Sequence, residues 1–222
     1  MSLTMNSQQQ ILLSFPQRTD FSPENFLVLP TNNHAYMLAG QFPAMAGDVL
    51  AIYGEQGVGK SHLFAMTVNR TQAKVLKKAD LKLPLNLSFM HYAIDGADDL
   101  SASEQEALFH MFNNVKSSGG SLLIMSRQAV AKMDILPDLK SRLLTAPQIE
   151  IQSPKDAHLE VFLVKYASDR QIFLEPKVAG YILKNCERNV SHIESIVQAL
   201  DELSLEQKRK ITVPLVKQVL ES

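Results

Sequence analysis

The stretch Gly54-Glu55-Gln56-Gly57-Val58-Gly59-Lys60-Ser61 fits the pattern G-x-x-x-x-G-K-[ST]. It follows the apolar run Val49-Leu50-Ala51-Ile52-Tyr53 and precedes a helical pattern over residues 62–69. A strand before and a helix after are the context that a phosphate-binding loop needs. Glycines let backbone N–H groups turn inward around phosphates, and the helix N-terminus adds its dipole. Lys60 supplies a point charge to the β- and γ-phosphates, and Ser61 offers a hydroxyl to Mg2+. The expected ligand is a nucleotide, its phosphates contacted by Gly54, Gly57, Val58, Gly59, Lys60, Ser61 and His62.

Further strands are expected at 74–76, 89–94, 121–125 and 149–151, separated by helical patterns at 107–116 and 138–144. Alternating strands and helices imply βαβ units, so the fold class is α/β, a five-stranded parallel sheet flanked by helices. The strand at 89–94 runs into Asp95, where a carboxylate is expected to hold magnesium together with Ser61. Gly96 follows, where many P-loop ATPases place a second acidic residue. Asp98 and Asp99 lie beyond it and read as charge at a helix start. Binding is therefore well equipped and hydrolysis poorly equipped.

After Pro154 the strands stop. Helices are expected over 156–169, 176–185 and 190–203, with Thr212 capping a last helix through residue 220. Three regions follow: a tail at 1–20, an αβα nucleotide-binding domain at 21–153 and a small all-helical lid at 154–222. The tail carries one apolar island, Ile11-Leu12-Leu13-Ser14-Phe15, behind three glutamines and closed by Pro16.

Composition narrows the class. Lys plus Arg is 22 and Asp plus Glu is 23, a net charge of −1, so a strongly basic nucleic-acid binder is not expected. The lone Cys186 excludes an internal disulfide and reads as a buried lid residue. No apolar run approaches the roughly 20 residues of a membrane span, and no secretory signal pattern opens the chain. A soluble, cytoplasmic protein with no membrane partner is the expectation. The basic runs Lys77-Lys78 and Lys208-Arg209-Lys210 read as solvated faces.

Several segments together resemble the AAA+ domain of the DnaA-type bacterial replication initiators. They are Phe26-Leu27-Val28-Leu29-Pro30-Thr31-Asn32-Asn33 before the loop, Gly59-Lys60-Ser61-His62-Leu63 continuing it, and Leu139-Lys140-Ser141-Arg142-Leu143 ahead of the last strand. The resemblance implies that Phe26 and Val28 flank the adenine. It also implies that Arg142 is an arginine finger acting in trans on a neighbour's nucleotide. Initiators carry an arginine in the lid motif N-V-R-E-L-E. Here Asn189-Val190-Ser191-His192-Ile193-Glu194 puts Ser191 at that place, with Arg188 or His192 as candidate substitutes.

The chain as given ends at Ser222, and the expectation is an initiator-type core without the helix-turn-helix DNA-binding domain. Gln10-Ile11-Leu12-Leu13-Ser14-Phe15 resembles the clamp-binding hexapeptide Q-x-x-L-x-[LF]. Gln10 would hydrogen-bond at a pocket rim, and Leu13 and Phe15 would fill an apolar pocket. This layout resembles the Hda-type DnaA homologues, alphaproteobacterial versions above all. The resemblance implies an ADP-bound regulator with weak or no ATPase activity of its own. Its partners would be the β sliding clamp of DNA polymerase and the DnaA initiator, whose ATP hydrolysis it promotes, a negative regulation of replication initiation. Little direct DNA contact is implied, and a homodimer is left open. A self-sufficient AAA+ ATPase such as a DnaC-like helicase loader is the competing reading. A small-molecule P-loop kinase is disfavoured by the Ser-Arg-Leu segment and the helical C-terminal region.

Overall fold

A computed structural model describes residues 23–82, 84–85 and 87–221. The tail with Gln10, Leu13 and Phe15 lies outside the described residues. In chain order the elements are α1 (Asn33–Gln41), β1 (Asp48–Tyr53), α2 (Lys60–Thr71), β2 (Lys74–Leu76), β3 (His91–Asp95), α3 (Ala102–Ser118), β4 (Ser121–Ser126), α4 (Pro137–Leu143) and β5 (Gln148–Glu150). Four helices follow: α5 (Asp156–Asp169), α6 (Pro176–Asn185), α7 (Val190–Gln207) and α8 (Val213–Leu220).

The five strands form one parallel sheet in the order β2-β3-β4-β1-β5. β4 lies at the centre, and all six of its residues are buried. A parallel strand covered on both faces can be apolar throughout, which is why these strands read as continuous runs. Side chains alternate between the two faces. Val49, Ala51, Leu122 and Ile124 point to the face covered by α3 and α4, with Leu108, Met111, Leu139 and Leu143. Leu50, Ile52, Leu123 and Met125 point to the other, against Ala35 and Ala39 of α1 and Leu63 of α2. The lid helices bury a separate core built on Leu159, Leu163, Ile182, Ile193, Val197, Leu200 and Val216.

Several boundaries differ from those expected. β3 starts at His91, not at residue 89, because its neighbour β4 opens at Ser121, opposite His91. Phe89 and Met90 stand before the strand, 54% and 57% exposed. α3 begins five residues earlier than its apolar face suggests, since the backbone N–H of Ser101 donates to Glu104 Oε2 at 2.7 Å and starts the helix there. α7 runs on to Gln207 and stops at Lys208, in the left-handed region at φ 49°. α1 was not anticipated: its fully buried residues are two alanines, with Tyr36 and Leu38 only partly buried, too slight for a periodic signal. Thr212 occupies the N-cap of α8 with no capping hydrogen bond from its side chain. Among the described residues, no helix is long and apolar enough to cross a membrane.

Leu108 of α3 is fully buried against the sheet. Leu108→Ala should lower the unfolding free energy by about 2–5 kcal/mol. Leu205→Ala, at a position 63% exposed, should stay within about 0.5 kcal/mol. Urea titration of both variants checks the assignment.

Candidate functional site

The C-terminal ends of β1, β3 and β4 open into one cleft of about 940 Å³, roofed by the lid helices α5 and α7. In open parallel sheets ligands sit beyond these strand ends. The loop after β1 turns with Gly57 at φ 81° and Gly59 at φ 97°, then enters α2 at Lys60. Its N-cap, Gly59, has no side chain to cap α2, and the first residues of that helix line the cleft. Gly57, Val58, Gly59, Lys60, Ser61 and His62 all line it. Gly54 does not: it is buried behind the loop, and a Cβ there would lie 2.5 Å from the Ile151 carbonyl oxygen. Its carbonyl and that of Glu55 each accept from Lys60 Nζ at 2.6 Å. Burial pulls the Lys60 ammonium below the ordinary lysine range, with Asp95 and Asp98 opposing.

Asp95 ends β3 at the cleft, followed by Gly96 in the left-handed region. Asp98 and Asp99 do not charge a helix start. Asp98 accepts from the Arg127 backbone N–H at 3.1 Å, and Asp99 pairs with Lys78 at 2.7 Å, both ahead of α3. Ser126 and Arg127, at the end of β4, enter the cleft from the side, a contribution that sequence reading missed.

On the opposite wall Phe26 stacks on Tyr36 at 5.5 Å and meets His62 edge-on at 5.2 Å. Asn32 shapes this segment: its Nδ2 donates to the Leu27 carbonyl at 2.9 Å, and its Oδ1 accepts from the Leu29 N–H at 2.8 Å. Phe26, Leu27 and Asn32 therefore line the cleft, whereas Val28 stands outside it, 42% exposed. Val28, expected beside the adenine, therefore does not line the cleft, while its neighbour Leu27 does.

The lid meets the loop through α7. The Val190 N–H, the first of that helix, donates to the Gly57 carbonyl at 3.2 Å. The Asn189 side chain packs on Gly57, where a Cβ would lie 3.0 Å from its Oδ1. That same Oδ1 caps α7 by accepting from the His192 N–H at 2.6 Å. Ser191 lines the cleft. Neither proposed substitute joins it: Arg188 pairs with Asp156 at 3.5 Å, and the His192 ring accepts from the Glu187 N–H at 2.9 Å. The lid residues in the cleft that sequence reading missed are Phe162, Lys165, Tyr166, Asp169, Arg170, Val190, Glu194 and Gln198. Tyr166 is held well above the ordinary phenol range by burial and then by Glu194. Their spacing along α5 and α7 is the one signal that could have exposed them.

Arg142 lies outside this cleft, exposed on α4, with no ion pair among the described residues. Cys186 is half-buried rather than buried, and burial pushes its thiol up.

A P-loop at the C-terminal end of an inner strand of a five-stranded parallel sheet, faced by a four-helix lid, is the arrangement of an AAA+ module. Residues 156–220 match the family model for the Hda lid domain. The chain is 27% identical to the chromosomal replication initiator protein DnaA of Campylobacter curvus, an alignment covering 89% of this chain and 51% of that protein. It spans about half the length of the curated DnaA relatives it matches. Domain III of Thermotoga maritima DnaA superposes with TM-score 0.75 at 20% identity, covering 93% of this chain and 98% of that one. AMPPCP-bound DnaA from Aquifex aeolicus gives TM-score 0.72 at 22% identity over 86% of this chain and 69% of that one. The chain is thus similar to Hda in its lid and to DnaA along most of its length, with the fold of an AAA+ module.

Gly57→Ala forces a side chain into the left-handed region and against Asn189. The backbone strain alone should cost about 1–2 kcal/mol. The α7 entry should also loosen, seen as faster hydrogen exchange at residues 190–194. Unchanged exchange there would refute the loop-to-lid contact.

Proposed function

We propose that this chain is a nucleotide-binding regulator of the replication initiator. The cleft takes ADP or ATP, with the phosphates on the open N-terminus of α2. An incoming phosphate draws Lys60 from the Gly54 and Glu55 carbonyls and offsets the burial of its charge. Ser61 and Asp95 both reach the cleft and fit a magnesium ion. That ion typically takes one or two protein oxygens, completing its shell with phosphate oxygens and water. It would supply charge neutralisation at the phosphates.

One observation carries the regulatory reading: Arg142 is presented away from its own cleft, on the surface and without a carboxylate partner among the described residues. An arginine so placed can add positive charge to the γ-phosphate of a nucleotide held by another protein. The chain's own cleft has Gly96 after Asp95 and Ser191 in the lid, which supports retention of a nucleotide over turnover. The partner is ATP-bound DnaA, and the β sliding clamp is engaged through Gln10, Leu13 and Phe15. Reaching DNA through a clamp suits a net charge of −1.

The test is hydrolysis of initiator-bound ATP in the presence of DNA-loaded clamp. Arg142→Ala should slow it by about a thousandfold or more. Equal rates for variant and wild type would end the proposal. Gln10→Ala should abolish clamp pull-down and leave ADP affinity unchanged. Rapid turnover by the purified protein alone, lost in Lys60→Ala and without clamp binding, would favour a self-sufficient ATPase.

A further inference from the structure

Resting on the reading of the cleft as a nucleotide site, we propose that Arg170 binds the nucleoside portion of the nucleotide, donating to a ring nitrogen of the base or a ribose oxygen. Arg170 closes α5 and lines the cleft on the same helix face as Phe162 and Tyr166, two turns and one turn earlier. Its neighbouring cations are engaged. Lys165 Nζ lies 2.6 Å from Asp169 and 3.5 Å from Asn25 Oδ1, and Arg188 is drawn to Asp156. Arg170 has no side-chain hydrogen bond or ion pair among the described residues. Its Nε–H is shut off from solvent with no acceptor. A buried donor without a partner is unfavourable, and turning the guanidinium to an acceptor in the cleft relieves it.

Position selects which part of the nucleotide supplies that acceptor. α7 starts on the phosphate loop at Gly57, and Ser191, Glu194 and Gln198 line the cleft at increasing distance from it. At 1.5 Å per residue, Gln198 stands about 10 Å further along than Ser191. α5 starts beside the same end, where Asp156 meets Arg188, and Arg170 lies about 21 Å along that helix. The Lys165–Asn25 contact turns this part of α5 toward the segment carrying Phe26. With the phosphates on the loop, the sugar and base reach this far end.

Charge agrees with that placement. With Lys165 matched to Asp169, Glu194 balances Arg170, so the far end favours a neutral polar group over a phosphate. A guanidinium, with donors only, suits the lone pairs of a purine or ribose.

Calorimetric titration of the full chain with ADP and with inorganic pyrophosphate tests this. Arg170→Ala should weaken ADP binding by about ten- to a hundredfold and leave pyrophosphate affinity unchanged. Arg170→Lys keeps the charge without the guanidinium fork and should still lose ADP affinity severalfold. Should the alanine variant fold poorly, the lysine variant decides. Unchanged ADP affinity in either folded variant overturns the proposal, as does a parallel loss of ADP and pyrophosphate. Wild-type protein that binds neither ligand would overturn the nucleotide reading itself, a result distinct from these.

Discussion

Two helix N-termini converge on a single loop, and the rest of the site is arranged around that fact. The first N–H groups of any helix lack partners within it. α7 satisfies its first with the Gly57 carbonyl, while α2 leaves its own open to the cleft. The same loop therefore docks the lid with its Gly57 carbonyl and can receive an anion with its N–H groups. Glycine at 57 serves both ends, since its backbone turns at φ 81° and its missing side chain makes room for Asn189. Any rearrangement of the loop must consequently be felt at the start of α7.

The sheet fixes where this happens. β1 lies between β4 and β5, so its C-terminal end opens beside those of its neighbours. Asp95 and Arg127 arrive at the loop from β3 and β4 as a result of strand register alone, Asp95 lying opposite Met125 and Tyr53 opposite Ser126. The charges that surround Lys60 are thus set by backbone pairing in a buried sheet, which is stiffer than any surface loop. Hydrogen bonding of Asp98 to the Arg127 N–H ties the two loops together above it.

Much of this was legible in the sequence, for identifiable reasons. Parallel strands buried on both faces leave continuous apolar runs, and the phosphate loop has a fixed spacing. α5 and α6 matched their expected ranges because their apolar faces are regular and proline opens α6. α1 was hidden because the residues it buries fully are two alanines. Val28 was misplaced because local side-chain bonds from Asn32, which residue spacing does not reveal, shape the turn of that segment. Arg127 follows β4, Tyr166 and Arg170 belong to α5 and its cap, and Glu194 to α7, and only the folded chain brings these three elements to one cleft. A charged residue read singly looks like a solvated one.

Arg142 shows the opposite relation, a functional candidate whose setting is fixed by its immediate neighbours. α4 has seven residues, too few to be stable alone, and it is held by Leu139 and Leu143, both fully buried against α3 and the sheet. Leu and Leu at i and i+4 fix the rotation of so short a helix, and Lys140 Nζ bonds the Met133 carbonyl at 2.9 Å to steady its start. Arg142 then has its backbone immobilised while its side chain remains exposed. An arginine that must meet a phosphate on another protein gains from such an anchor, because less freedom is lost when the contact forms. The flexible part of the proposed arrangement is therefore the guanidinium alone. The lid-to-loop contact at Gly57 lies in a different part of the molecule, so nucleotide occupancy in the chain's own cleft can set the lid without disturbing the arginine it presents.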